Sequence, residues 1–294
     1  QAKLRLDVSE DAIESGAIAP GRPDESLLVK RIRATDPNEQ MPPPDSHRSL
    51  TPQQIETLAR WVEEGARYDK HWAFKPIDRP APLLSHQDNT WRRNDVDSFV
   101  LDKLQANGLT PTPRAPIPTL LRRLSLDVTG LPASGEQLAR WQQTSDPVDA
   151  AIDELLSSPH YGERMATEWL DVARYADTHG FNNDSARTMW PWRDWVIAAL
   201  NENMPYDDFI TAQLAGDLLP HATREQRLAT GFNRNHVINS EGGIIDEEYR
   251  VEYVADRVRT TSLAWLGLTL ECARCHDHKF DPISQREYYQ FFAF

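Results

Sequence analysis

Three observations predict a mainly α-helical protein. Apolar residues recur three and four positions apart in one segment after another, a spacing that places them on one face of a helix. Several of these segments begin at an N-capping residue or end at a Gly or a Pro, as helices do. No segment alternates convincingly between apolar and polar residues, as a half-buried strand would. With 39% hydrophobic and 26% charged residues, the composition is that of a globular protein.

The first part of the chain, residues 1–73, predicts short helices in a loop-rich frame. One helix is predicted within "DESLLVKRI" at 24–32, where an acidic start precedes apolar residues at helical spacing. Another is predicted within "TPQQIETLARWVEEGA" at 51–66, which opens with Thr51 as the N-cap and stops at Gly65. The intervening "NEQMPPPDSH" is too rich in Pro for regular structure.

Residues 74–91 are predicted to be a linker between two domains. Their first stretch, "FKPIDRPAPLL", favours extended backbone because Pro restricts both itself and the residue before it. Helical signals then come in series over 92–294, which we take as a larger helical domain. The segments "DVDSFVLDKLQANG", "IPTLLRRLSLDVTGLP" and "PVDAAIDELLSSP" each carry an apolar stripe.

The helices predicted later in this domain lead towards the cysteines. "YGERMATEWLDVARYAD" places Met165 and Trp169 on one apolar face, and the segment after it predicts two helices broken at Pro205. A last long helix is predicted from about Glu247 to Leu270, directly before the first cysteine.

Charge and hydropathy argue against two classes of broad partner, although the charge leaves room for a local basic patch. Lys plus Arg number 32 against 45 Asp plus Glu, and a net charge of −13 argues against nucleic acid or an anionic membrane surface. The longest apolar run, "TSLAWLGLTL", is too short to span a bilayer. Because the chain starts with Gln and ends in the aromatic "YYQFFAF", we expect a fragment of a longer protein.

The only two cysteines stand together in "ECARCHDHKF" at 271–280. Cys272, Cys275 and His276 form the C-x-x-C-H pattern of covalent haem attachment, in which the histidine ligates the iron. Zinc is the main alternative, since His278 would complete a set of four permitted ligands. Four ligands so close in sequence strain a tetrahedron, and a redox C-x-x-C is expected beside a βαβ unit. We therefore favour haem.

Two polar loops are candidates for a ligand pocket. "DTHGFNNDSAR" carries His179 and Arg187, and "RNHVINSEGG" carries Arg234 and His236. Loops dense in titratable and amide groups suit a substrate pocket with catalytic residues, or arginines that bind haem propionates. Either His179 or His236 is a candidate distal ligand of a haem iron. Asx turns and salt bridges are the structural alternative.

The chain resembles the planctomycete-type cytochrome c multidomain family. The resemblance lies in "ARYADTHGFNNDSARTMWPWRDWVI", "NMPYDDFITAQLAGDLLP" and the stretch from "GFNRNHVINSEGG" to the end. It implies that 92–294 is the family's large domain of unknown function, truncated at its C-terminus. "LRLDVSEDAIESGAIAPGRPDESLLVKRI", "MPPP" and "TPQQIETLARWVEEGA" are similar to the second half of its N-terminal cytochrome c domain. In that domain an upstream C-x-x-C-H binds haem, and the methionine before the prolines is the distal ligand. The resemblance therefore implies Met41 as a distal ligand. The upstream C-x-x-C-H is absent from this chain.

These features lead to one hypothesis and two alternatives. The leading hypothesis is an exported c-type cytochrome: a partial cytochrome c-like domain followed by a helical domain that carries one covalent haem c, with a second haem in the full-length protein. It would exchange electrons with a redox partner protein or an attached C-terminal domain, in the periplasm or otherwise outside the cytoplasm. The alternatives are a haem enzyme that oxidises a small molecule or a sugar or reduces peroxide, and a non-redox scaffold with zinc at the cysteines.

Overall fold

The computed structural model describes residues 6, 8–69, 72–81 and 90–294. Within these ranges the protein is mainly α-helical, as predicted, and the β pairing is confined to one isolated antiparallel bridge between Thr178 and Ala186. The chain divides into two compact units, Gln1–Pro111 and Thr112–Phe294.

The first unit contains four α-helices in its described residues: α1 Ser9–Glu14, α2 Leu27–Arg33, α3 Pro52–Glu63 and α4 Asp95–Ala106. The predicted cap of α3 is present as a capping box, because the Thr51 hydroxyl accepts from the Gln54 amide at 3.3 Å and the Gln54 side chain accepts from the Thr51 amide at 2.8 Å. Gly65, with φ +101°, follows the end of α3 in a conformation that favours glycine.

A small core holds α1, α2 and α3 together. Its fully or nearly fully buried members are Ala12, Ile18, Val29, Ala59, Val62 and Ala66. Three of the six are alanines, so the core buries little apolar area for each residue. This unit therefore has a hydrophobic core of its own.

The predicted domain boundaries at 1–73, 74–91 and 92–294 stay a prediction. Residues 82–89, the centre of the predicted linker, lie outside the described residues. The division between the two compact units falls after Pro111. Helix α4 therefore belongs to the first unit, although the sequence analysis placed it at the start of the larger helical domain.

The second unit carries the remaining helices. They are α5 Ile117–Thr129, α6 Gly135–Gln142, α7 Pro147–Leu156, α8 Pro159–Val172, α9 Trp190–Asn201, α10 Tyr206–Ala215, α11 Arg224–Ala229, α12 Asp246–Thr261 and α13 Gln285–Phe292. The predicted break at Pro205 is confirmed, since α9 ends at Asn201 and α10 begins at Tyr206.

An aromatic core joins α8, α9 and α10. Trp169 of α8 lies 4.6 Å from Trp265 and 5.4 Å from Phe209, measured between ring centroids. Trp192 of α9 is 1% exposed, and Phe232 packs between it and Trp169. Rings at these separations and tilts bury large areas and add favourable edge and offset contacts.

The last long helix ends earlier than its sequence predicts. α12 stops at Thr261, a π-helical turn follows at Ser262–Leu266, and Gly267 adopts φ +64°, so the prediction of a continuous helix to Leu270 was wrong. The wider turn brings Trp265 into the aromatic core against Trp169, a tertiary contact that local helix propensity does not report.

Candidate functional site

The C-x-x-C-H segment forms a short turn anchored in a buried core. Residues Glu271–Arg274 are a 3₁₀ helix, and the amides of Cys275 and His276 each lie 3.3 Å from the carbonyl oxygen of Cys272. Ala273, at the centre of the turn, is fully buried against a core that includes Leu270. Because one side of the turn is anchored, Cys272, Cys275 and His276 lie on the exposed side.

The two cysteines are free thiols rather than a disulfide. Both are exposed, and one helical turn separates them along the backbone. The arrangement leaves both sulfur atoms accessible to a ligand that approaches from solvent.

The side chain of His276 is held in one tautomer. Its Nδ1 lies 2.8 Å from the carbonyl oxygen of Asp277, which can only accept a hydrogen bond. Nδ1 therefore carries the hydrogen, and Nε2 of the neutral ring keeps a lone pair for a metal ion. An Nδ1–H hydrogen bond to a carbonyl oxygen is the usual way in which proteins orient a ligating histidine.

Contacts from two helices fix the backbone around the cysteines. Arg274 forms a bidentate pair with Glu252 of α12, with one N···O distance of 3.0 Å. From α13, the Gln285 side chain and the Tyr289 hydroxyl donate to the carbonyl oxygen of Arg274 at 3.2 and 3.0 Å. The guanidinium of Arg274 holds the pKa of the Glu252 carboxyl below its usual value, so the pair is ionised at neutral pH.

His278 is part of the same segment but is occupied differently. It is 8% exposed, and its Nδ1 accepts hydrogen bonds from the amides of Phe280 and Asp281 at 3.3 and 2.9 Å. In the part of the chain that the structure describes, no three His, Cys, Asp or Glu side chains converge on a metal position. The zinc alternative, which uses His278 beside the cysteines, stays a hypothesis.

The two polar loops predicted as a ligand pocket do lie together. Arg187 joins them: its Nε donates to the carbonyl oxygen of Ala176 at 3.3 Å, and its Nη atoms donate to those of Arg234, Asn235 and His236 at 3.3, 3.1 and 2.8 Å. Burial and the nearby charge of Arg234 lower the pKa of Arg187. Four backbone acceptors give Arg187 a structural role that links the loops.

Asp177 connects the first polar loop to the start of α9. Its Oδ1 accepts from the amides of Met189 and Trp190, both at 2.8 Å, and its Oδ2 accepts from the Tyr175 hydroxyl. Burial opposes ionisation, but these three donors hold the pKa of the Asp177 carboxyl below its usual value. Burial and the same carboxylate raise the pKa of Tyr175 to about 12.

Both ring nitrogens of His236 have partners. Nδ1 donates to the carbonyl oxygen of Val237 at 2.8 Å, and Nε2 lies 3.1 Å from Nη2 of Arg257. The ring is 6% exposed and stacks on Tyr253, with centroids 4.7 Å apart. Burial, followed by repulsion from Arg257 and other arginines, lowers the pKa of His236, so the ring is neutral at neutral pH. A distal-ligand role for His236 would require Arg257 to move.

His179 is half-buried, and its ring makes fewer hydrogen-bond contacts than that of His236. Its carbonyl oxygen accepts from the Ile238 amide at 2.9 Å, and its Nδ1 lies 3.4 Å from the Ser185 hydroxyl. Among the described residues nothing contacts Nε2 within hydrogen-bond distance. Of the two histidines predicted as distal ligands, His179 is thus the one with an available nitrogen.

Comparison with known families now decides where the chain belongs. Residues 95–294 match the family model described as a protein of unknown function, DUF1549, and residues 1–45 match the model described as planctomycete cytochrome C. The chain belongs to the DUF1549 family. Neither a curated protein nor a solved structure matches it. The predicted resemblance to a two-part planctomycete family is confirmed, and the N-terminal match indicates a cytochrome-like domain.

Met41 lies in the region that matches planctomycete cytochrome C. The residue is 40% exposed, and its amide donates to the carbonyl oxygen of Arg31 at 3.0 Å. Met41 therefore lies at the surface of the first unit. Its role as a ligand stays a prediction.

The DUF1549 region also contains an apolar groove that the sequence does not reveal. It has a volume of about 480 Å³ and lies between α8, the end of α9 and α10. Met165, Trp169, Met204, Tyr206 and Phe209 are among the residues that line it. The sequence placed Met165 and Trp169 on one apolar face, but the groove depends on how three helices pack.

The DUF1549 region holds two further residues that sequence reasoning missed, Arg174 and Arg257. Arg174 follows the end of α8 with φ +58° and forms an ion pair with Asp256 of α12. Arg257 contacts His236 from the same helix. Neither stands in a motif, and each acquires its partner only when α12 packs against loops distant in sequence.

No helix in the described ranges is long and apolar enough to cross a bilayer.

Proposed function

We propose that this chain is an exported c-type cytochrome domain that holds one haem covalently through Cys272 and Cys275, with His276 as the proximal iron ligand. The observation that carries the proposal is the tautomer of His276. The hydrogen bond from Nδ1 to Asp277 leaves Nε2 free, directly after two free and exposed thiols on one turn.

The surrounding residues would keep this attachment point rigid. Ala273 packs into the core, and the bidentate pair between Arg274 and Glu252 joins the turn to α12. When bound, haem would supply a one-electron redox centre whose potential the protein tunes through ligation, burial and hydrogen bonds. Electron exchange with a redox partner protein or an attached domain is the activity that such a centre supports.

The cellular location and a second haem follow from the same family relation. Covalent haem attachment through cysteines suits an extracytoplasmic protein, and the N-terminal match to planctomycete cytochrome C supports this placement. In a longer protein that supplies the upstream C-x-x-C-H, Met41 would be the distal ligand of the N-terminal haem.

A visible spectrum and an intact mass test the proposal. The chain is exported from a host that matures c-type haem, beside a cytochrome that verifies maturation. We expect sharp α and β bands in the reduced protein and a mass increase of one haem. Cys272→Ala should lose the normal two-link attachment, and His276→Ala should change the bands. His160→Ala, which removes an exposed histidine at the start of α8, is the matched control and should leave both readouts unchanged.

Two results would count against the proposal. A colourless protein at apo mass, in cells where the reference cytochrome matures, would contradict haem attachment, and stoichiometric zinc in that protein would favour the scaffold alternative. Unchanged two-link haem in Cys272→Ala would rule out the assigned attachment site.

A further inference from the structure

Three arginines, Arg174, Arg187 and Arg257, lie near the buried ring of His236, and Arg234 lies near Arg187. We call Arg174, Arg187, Arg234 and Arg257 the arginine cluster. Arg187 reaches the carbonyl oxygens of residues 234–236, and Arg257 contacts the ring of His236 at 3.1 Å. Burial, followed by repulsion from Arg259, Arg187 and Arg257, lowers the pKa of Arg174 to about 10.

Positive charge is in excess in the cluster. Arg174 is paired with Asp256, but in the described part of the chain no carboxylate oxygen lies within 4.0 Å of the guanidinium of Arg187, Arg234 or Arg257. The nearby acids have other partners. Asp177 accepts from Tyr175 and the start of α9, and Asp184 accepts from the Gly180 amide at 2.7 Å.

This imbalance differs from other arginines of the acidic chain. In a protein with a net charge of −13, many arginines pair with a neighbouring carboxylate. Examples are Arg22 with Glu25, Arg140 with Glu154, Arg250 with Glu247 and Arg274 with Glu252. Three neighbouring guanidinium groups without a carboxylate within 4.0 Å therefore create a local positive field, which the more distant Asp177 and Asp184 partly offset at Arg187.

Buried polar atoms in and beside the arginine cluster also lack partners. Asn235, next to Arg234 in the chain, is 1% exposed, and its donor Nδ2 and its acceptor Oδ1 are both without a partner. Nε of Arg174 is buried and unpartnered as well. Buried donors of this kind are costly unless an acceptor reaches them. An oxyanion offers several acceptor atoms to such donors.

We propose that the arginine cluster binds a small oxyanion of the carboxylate, phosphate or sulfate class. Planar guanidinium groups recognise these anions through paired hydrogen bonds. His236 holds Arg257 in place, so part of the entropic cost of ordering its side chain is already met. Arg187 contributes its charge, because its Nε and both Nη atoms already donate to backbone carbonyl oxygens. Two sources share this chemistry: a free oxyanion, and the propionates of a haem carried by the same chain. The site does not depend on the proposed haem attachment.

Calorimetric titration with inorganic phosphate tests the site. The full chain is made without haem and titrated at constant ionic strength. We expect saturable binding of one phosphate. Arg257→Gln and Arg234→Gln should each raise the dissociation constant by about tenfold or more, because each removes one charge-assisted hydrogen bond. Arg250→Gln, which removes an arginine from the same helix but outside the cluster, should bind as the wild type does.

The variants and a second arm make the result decisive. Arg234 is exposed, and its side chain forms no hydrogen bond or ion pair in the part of the chain that the structure describes. Arg234→Gln therefore reports on binding even where circular dichroism shows that Arg257→Gln is unfolded. In haem-loaded protein, loss of phosphate binding would identify a propionate as the occupant, whereas retained binding would identify a free anion. Absence of saturable binding to the haem-free chain, or equal affinity in Arg234→Gln, Arg250→Gln and wild type, would overturn the proposal.

Discussion

At the scale of single residues, contacts with neighbouring groups decide which ring nitrogens of the histidines are available to a ligand. The hydrogen on Nδ1 of His276 is fixed by one backbone carbonyl, which decides which nitrogen is free. His236 has the same Nδ1 contact, but Arg257 occupies its second nitrogen. Two histidines of identical chemistry thus differ in availability because of one neighbouring guanidinium.

Asp177→Asn tests the carboxylate that joins the first polar loop to α9. The substitution removes the negative charge at the helix start, and we expect a loss of about 1 kcal/mol in the free energy of unfolding at pH 7. The folded-state pKa of Asp177 is lowered, so its stabilisation is complete above the unfolded-state pKa, near about 3.9, and is lost as pH falls through the lower folded-state value.

Urea unfolding at several pH values measures this effect. The difference between wild type and Asp177→Asn should be constant from neutral pH to about pH 4 and shrink at lower pH. Asp153→Asn, an exposed position within α7, is the control and should stay near zero throughout. A difference that grows towards acid pH would contradict the assignment.

At the scale of elements, α8 and α9 pack closely because of one glycine. A Cβ on Gly162 would lie 2.5 Å from the carbonyl oxygen of Ile197 and 2.6 Å from the side chain of Asn201. Asn201 uses this proximity: its Oδ1 accepts from the Gly162 amide at 2.8 Å, and its Nδ2 donates to the carbonyl oxygen of Pro159 at 3.1 Å. The end of α9 thereby satisfies an amide in the first turn of α8.

Gly162→Ala should therefore destabilise the protein although alanine favours helices. We expect a loss of about 1–3 kcal/mol, since the new methyl group meets backbone and displaces Asn201. Thermal and urea unfolding measure it. Gly135→Ala in α6 is the matched control, because nothing lies within 4 Å of the added Cβ, and it should be neutral or stabilising. Equal effects at the two positions would refute the close-contact argument.

At the scale of the whole molecule, each compact unit has its own buried core. The first unit has one cluster, which joins α1, α2 and α3. The second unit has three clusters, one of which is the aromatic core. A core within each unit is what allows a domain to fold alone.

A fragment of residues 112–294 should fold without the first unit. We expect a helical circular dichroism spectrum and one cooperative urea transition, because the clusters of this unit are complete in the fragment. A shorter fragment, 157–294, lacks α5 to α7 and the core around Leu121 and Trp141, so it should be markedly less stable. A non-cooperative transition in the longer fragment would contradict the division at Pro111.

The sequence by itself determined the helical class, the cap of α3, the break at Pro205 and the family. These follow from apolar period, from hydrogen bonds within a few residues and from Pro chemistry, all of which are local. It also identified the two polar loops, although it could not show that Arg187 joins them.

Only the tertiary structure decided which of these residues meet. Arg257 and His236 are 21 positions apart and come together when α12 packs on a loop, and the π-helical turn places Trp265 in the aromatic core against Trp169. Contacts between distant segments form through packing of whole faces, which no local pattern encodes. The C-x-x-C-H motif could be recognised in the sequence because its residues are adjacent. The arginine cluster could not, because its members are distant in sequence.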